Sequence, residues 1–154
     1  MNTLKWNVVS SNGTTTVDLE GAITEDADLK GLLTLDGSGP IVLDLAAVDQ
    51  INSCGVREWI HFIRKLSDGD RAIEFKRCSP AIVRQLNTIA NFRGSGTVRS
   101  VMLPYYCSSC RSEAHVPLDL TAADREIADE IACAKCGGTM EFDDMPATYV
   151  SFAG

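Results

Sequence analysis

Four of the six cysteines in this chain stand in two pairs, and their spacing is that of a metal site. Cys107-Ser-Ser-Cys110 and Cys133-Ala-Lys-Cys136 can each aim two thiolates at one point, and 22 residues separate the pairs. Four soft anionic ligands in tetrahedral geometry suit Zn²⁺, so Cys107, Cys110, Cys133 and Cys136 are expected to close a structural zinc shell, although the same residues would also take iron. A closed shell leaves no position for a substrate. Two redox pairs, or four inert thiols, are the competing readings. His61 and His115 are expected at the surface, because four thiolates already complete the shell. Cys54 and Cys78 have no partner by motif. Cys54 is read as a small buried residue, with a redox thiol at a helix start as the alternative.

The second place where chemistry is expected is the junction Asn52-Ser53-Cys54-Gly55. Upstream, Ile41, Val42, Leu43 and Leu45 form the nearly continuous apolar run of a strand covered on both faces. Downstream, Val56, Trp59, Ile60, Ile63 and Leu66 share one helical face, while Arg57, Glu58, His61, Arg64 and Lys65 point elsewhere and Phe62 sits on the flank. The junction therefore lies at a strand's carboxyl end and a helix's amino end, where free N–H groups and the helix dipole favour an anion. Ser53 there is either a cap or a phosphate acceptor.

The elements that must position these two sites follow from local signals. Asn12-Gly13 between two alternating runs predicts a hairpin. Thr24 predicts the cap of a short helix carrying Leu29, Leu32 and Leu33, ended by residues 36–40. Residues 72–78 read as a strand. Ser79-Pro80 opens a helix with Ile82, Val83, Leu86, Ile89 and Ala90 inward. Residues 97–106 read as one strand, and the crossovers imply parallel pairing. Around the cysteines, strands over 101–106, 115–120 and 139–143 would frame a zinc ribbon, with a helix over 121–131 lengthening the interval between the pairs. The expected division is 1–103 and 104–154.

Charge narrows the range of partners. The net charge is −7, and residues 99–154 carry four Lys and Arg against nine Asp and Glu, so the carboxyl-terminal third holds −5 of it. Binding a phosphate backbone needs a basic surface, so nucleic acid is not the expected partner. The first ten residues lack an apolar signal core and no run is long enough to cross a bilayer, so a cytoplasmic location without membrane insertion is expected.

The run from Leu43 to Gly55 resembles the signature of the STAS family, the domain of anti-sigma factor antagonists and sulphate transporter tails. Asp44, Val48, Ile51, Ser53 and Gly55 match it. Cys78-Ser79-Pro80 and the residues to Leu86 resemble the family's strand-Ser-Pro-helix segment, and the likeness covers roughly residues 4–103. Asn52 stands where the family has an acidic residue, Cys54 where it has a small Ser or Ala, and the cysteine-bearing tail replaces the family's closing helix. The resemblance implies an α/β fold with a STAS-like mixed sheet flanked by helices, here followed by a small zinc-ribbon β module. It also implies a non-catalytic regulatory role, with Ser53 as phosphoacceptor, an anti-sigma factor or switch kinase as protein partner, and a partner-binding surface of Asn52, Ser53, Arg57, His61 and Phe62. A zinc-ribbon adaptor for a basic protein and a thiol oxidoreductase are the alternatives.

Overall fold

The computed structural model describes residues 3–153. Asn12 and Gly13 take φ of 53° and 81°, the positive values a two-residue hairpin turn requires. Strands β1 (Lys5–Ser11) and β2 (Thr14–Ile23) therefore pair antiparallel, with Lys5 opposite Glu20 and Ser11 opposite Thr14. Next come β3 (Ile41–Ile51), β4 (Ile73–Lys76) and β5 (Thr97–Val98), each parallel to its predecessor, giving a mixed sheet in the order β1-β2-β3-β4-β5. Helix α1 (Ser53–Ser67) connects β3 to β4, and α2 (Pro80–Thr88) connects β4 to β5. The expected α/β class with a mixed sheet and helices holds.

The run 97–106 is not one strand in one sheet. It breaks at Arg99: β5 ends the first sheet, and β6 (Ser100–Tyr106) begins a second, all-antiparallel sheet in the order β7-β6-β9-β8. The other members are β7 (Glu113–Asp119), β8 (Glu130–Ala132) and β9 (Thr139–Phe142). Cys78, just beyond β4, joins the sheets by donating to Ser100 O at 3.1 Å and accepting from Met102 N at 2.8 Å. The change of sheet thus precedes the 103/104 division, which falls inside β6.

Two expected helices do not form. After Thr24 the chain turns, with Thr24 Oγ1 accepting from Asp26 N and Thr24 O from Ala27 N, and only a single 3₁₀ turn follows over Lys30–Leu33. Residues 121–131 are also non-helical. Asp119 Oδ1 accepts from both the amide and the hydroxyl of Thr121, a local turn that competes with a helix start. The chain then runs extended, because Tyr105 donates its hydroxyl to Ala128 O at 2.7 Å and Phe142 N donates to Asp129 O. Helix α2 ends at Thr88, which leaves Ala90 exposed.

The buried face of α1 is turned from the expected one. Trp59, Phe62, Ile63 and Leu66 are buried, while Val56 and Ile60 are only half-buried. Trp59 is the hub: it stacks on Phe92 at 5.7 Å, meets Phe75 edge-on at 6.1 Å, touches Phe62 at 5.3 Å and donates its indole N–H to Phe92 O at 3.0 Å. Phe62 therefore completes the core and is 4% exposed, which corrects its place on the flank. Gly55 sets how closely the helix sits on the sheet. A Cβ there would lie 1.9 Å from Ile23 O, so Gly55→Ala is expected to lift the start of α1 from β2 and cost about 2–4 kcal/mol in urea denaturation. A cost below about 1 kcal/mol would show that the helix start shifts freely.

Candidate metal centre

The two cysteine pairs sit on turns of the same construction. In the first, Arg111 N donates to Cys107 O at 2.7 Å and Cys107 N to Ser112 O at 2.9 Å. In the second, Gly137 N donates to Cys133 O at 2.9 Å and Cys133 N to Gly138 O at 2.8 Å. The residue after each second cysteine is left-handed, with φ of 61° at Arg111 and 75° at Gly137. That conformation turns the following N–H back over the thiols. Gly138 N approaches Cys136 Sγ at 3.4 Å, and in the matching place Ser112 Oγ lies 2.8 Å from Cys110 Sγ.

β6 delivers the first turn and the hairpin of β8 and β9 carries the second, which brings all four sulfurs within 4.8 Å of one another. Cys107 and Cys136 are 3.6 Å apart, and Cys110 and Cys133 are 3.7 Å apart. A tetrahedron with metal–sulfur bonds of about 2.3 Å has edges of about 3.8 Å, so the donor set and its spacing fit a thiolate-bound metal ion. None of the four is in a disulfide. Cys107 and Cys133 are buried, whereas Cys110 and Cys136 face solvent, so the site lies half in the module's core. Neither histidine joins the cluster.

The turns also bias the thiols toward their ligand form. Cys110 is lowered to about 6, chiefly by the Ser112 hydroxyl and then by the Ser112 backbone. Backbone N–H groups of Cys136 and Lys135 lower Cys133. For Cys136 the Gly138 N–H favours the thiolate, but the neighbouring thiols of Cys107 and Cys110 outweigh it and push the group up to about 12. A cation at the centre of the four sulfurs would relieve that crowding of negative charge.

The junction before α1 is built differently from the expectation that Ser53 caps the helix. Asn52 is the cap: its Oδ1 accepts from Gly55 N at 2.7 Å, while its Nδ2 donates to Glu25 Oε2 at 3.1 Å. Glu25 is held below the usual carboxylate range by its own backbone N–H and by that amide. An aspartate at position 52 would face the Glu25 carboxylate, which accounts for the asparagine. Ser53 is the first helical residue, exposed, and its hydroxyl has no hydrogen bond among the described residues. Arg57, His61 and Arg64 are also exposed, and His61 lines a shallow groove between α1 and the 3₁₀ turn. Cys54 is exposed, not buried as expected, because the helix turns positions 55 and 59 inward.

Asp44 is buried, accepts from Ala46 N at 3.2 Å and pairs with Arg77 Nε at 3.0 Å. Two further residues position these elements through long-range bonds. Asn87 on α2 donates to Tyr149 O and accepts from Ser151 Oγ and Phe152 N, tying the carboxyl-terminal segment to the first sheet's helix. Arg71 donates to Gly39 O, Asp36 O and Thr15 Oγ1, clamping the loop before β3. Neither arginine nor asparagine carries a local signal of such a role, since each partner lies over thirty residues away. No helix among the described residues is long and apolar enough to cross a membrane. No family model and no curated protein sequence matches the chain.

Proposed function

We propose that this chain is a non-catalytic regulatory module that binds a protein partner through the surface around Ser53, and that Cys107, Cys110, Cys133 and Cys136 hold a structural zinc ion. The observation that carries the first part is the presentation of Ser53: a hydroxyl unpaired among the described residues, on the first turn of a helix that Asn52 already caps. Phosphate at that position would add charge where the helix dipole tolerates it, without breaking a cap. The resemblance to anti-sigma factor antagonists supports the same place and the same logic, with a switch kinase or an anti-sigma factor as the class of partner. Asn52, Arg57 and His61 complete the surface. Phe62 is excluded from it by burial.

The zinc reading rests on the all-thiolate donor set and on the approach of the four sulfurs to within 4.8 Å of one another. Elemental analysis of chain purified without added metal distinguishes zinc from iron.

Ser53→Glu is expected to weaken binding of the partner that co-purifies from native lysate by about tenfold, or ~1.4 kcal/mol, with circular dichroism and metal content unchanged. Calorimetric titration measures the affinity, and intact mass of the native protein reports phosphate at Ser53. Wild-type affinity in the variant, with no phosphorylated species under any growth condition, would leave Ser53 as a fold position only.

A second reading is an adaptor that docks a basic protein on the second sheet. The observation in its favour is a row of directly opposed residues, Glu113, Tyr106, Glu141 and Glu130, running across all four strands. Like charges opposite one another, as at Glu130 and Glu141, cost stability. Loss of the partner in a Glu130→Lys, Glu141→Lys variant, but not in Ser53→Glu, would favour this surface.

A further inference from the structure

Each sheet in this protein has two edges, and three of the four edges are blunted. β5 is two residues long and gives way to β6; β8 is three residues long. β7 has seven residues but carries Glu113, His115 and Asp119 and is interrupted by Pro117. Short length, charge and proline are the devices that keep an edge from pairing with another chain.

β1 has only one of them, a single charge at its first residue. It runs seven residues from Lys5 to Ser11, contains no proline, and after Lys5 has no charged side chain. Among the described residues only β2 pairs with it, so its outer row of N–H and C=O groups faces solvent. Val9 is 51% exposed, one of the few large apolar residues so placed, and Asn7 beside it is exposed as well. Trp6 is held in place, its indole N–H donating to Asp28 O at 3.1 Å and its ring against Gly31, so the strand is anchored along one face while its edge is open.

We propose that β1 is a self-association edge, pairing antiparallel with β1 of a second copy so that the two five-stranded sheets become one. The strand suits a two-fold partner. With Val8 on the axis, Lys5 meets Ser11 of the second copy, Trp6 meets Ser10 and Val9 meets Asn7. The strand's one charge therefore faces a hydroxyl, and no like charges oppose each other. Antiparallel pairing is also the stronger kind and continues the geometry of the β1–β2 hairpin. An isologous contact of this sort closes at two copies, which the large net negative charge of each chain further favours over longer assemblies.

Sedimentation equilibrium on the full, metal-loaded chain from about 1 µM to about 1 mM tests this. The wild type is expected to rise toward twice the monomer mass. Val9→Lys is expected to weaken association by at least about tenfold, with unchanged circular dichroism and metal content. A mixture of V9K and N7E chains is expected to recover it, because the new charges meet across the axis. Hydrogen exchange of the wild type covers the case in which V9K misfolds: β1 amides that face outward should gain protection as concentration rises. A wild type that remains monomeric throughout the range, or a folded V9K that associates like the wild type, overturns the proposal. So does association without concentration-dependent protection in β1, which would put a second copy, or an extended peptide, elsewhere.

Discussion

Cys107→Ser is expected to leave less than about half an equivalent of metal per chain and to unfold the second sheet while the first persists. In small zinc modules roughly 10–16 kcal/mol of apparent metal-binding free energy is folding free energy, so a three-thiolate shell loses most of what holds such a segment together. The module has little else: of the described residues from β7 onward only Cys133, Met140 and Tyr149 are buried. Cys107 is itself fully buried, so its replacement also disturbs packing. Cys110→Ser separates the two causes, since Cys110 is exposed and its replacement disturbs no buried packing. Region-resolved hydrogen exchange should show both variants losing protection in β7, β8 and β9 while β2 and β3 keep theirs. Full protection of β7–β9 in metal-free Cys110→Ser would mean that the four thiols are not what stabilises the module.

Trp59→Ala is expected to have the matching effect on the first sheet. Truncating a fully buried aromatic costs about 3–5 kcal/mol, and Phe92 O would lose its indole donor, a further ~1–3 kcal/mol if no water replaces it. Against a total stability of roughly 5–15 kcal/mol for a domain, that change brings α1, β4 and the segment after α2 close to unfolding together. Urea denaturation followed by circular dichroism measures it. A loss under about 1 kcal/mol would show that Phe62, Phe75 and Phe92 close over the cavity.

What was legible in the sequence was local. Asn12-Gly13 needs only its own backbone to make a hairpin, Ser79-Pro80 caps and starts a helix from within four residues, and the cysteine pairs close their turns by bonds spanning four and five residues. What was not legible depends on distant partners. The rotation of α1 that buries Phe62 is set by Phe75 and Phe92, which the helix's own periodicity does not contain. Thr24 and Thr121 both look like caps, yet in each case a turn with a residue two positions away wins. The extended path near Ala128 is held by Tyr105 from another strand. At the candidate site, the place of Ser53 was readable from the strand-to-helix switch. The capping bond of Asn52 to Gly55 N is local and was open to reading as well, whereas the match of its amide to Glu25, 27 positions upstream, was not.

The strand that changes sheets at Arg99 also sets an order of assembly. As the chain emerges during synthesis, β1 to β4 and α1 precede everything in the second sheet, and Cys78 then offers a fixed amide and carbonyl on which Ser100–Met102 can lie down. β6 is thereby nucleated on a surface already folded, which removes part of the entropy of bringing its distant partners together. Cys107 stands at the end of that templated strand, in position before Cys133 and Cys136 have been made. A metal ion held by the four sulfurs would be the last component to arrive, a latch on a chain folded from its amino end. Chain prepared without metal is then expected to be complete as far as Arg99 and frayed beyond it.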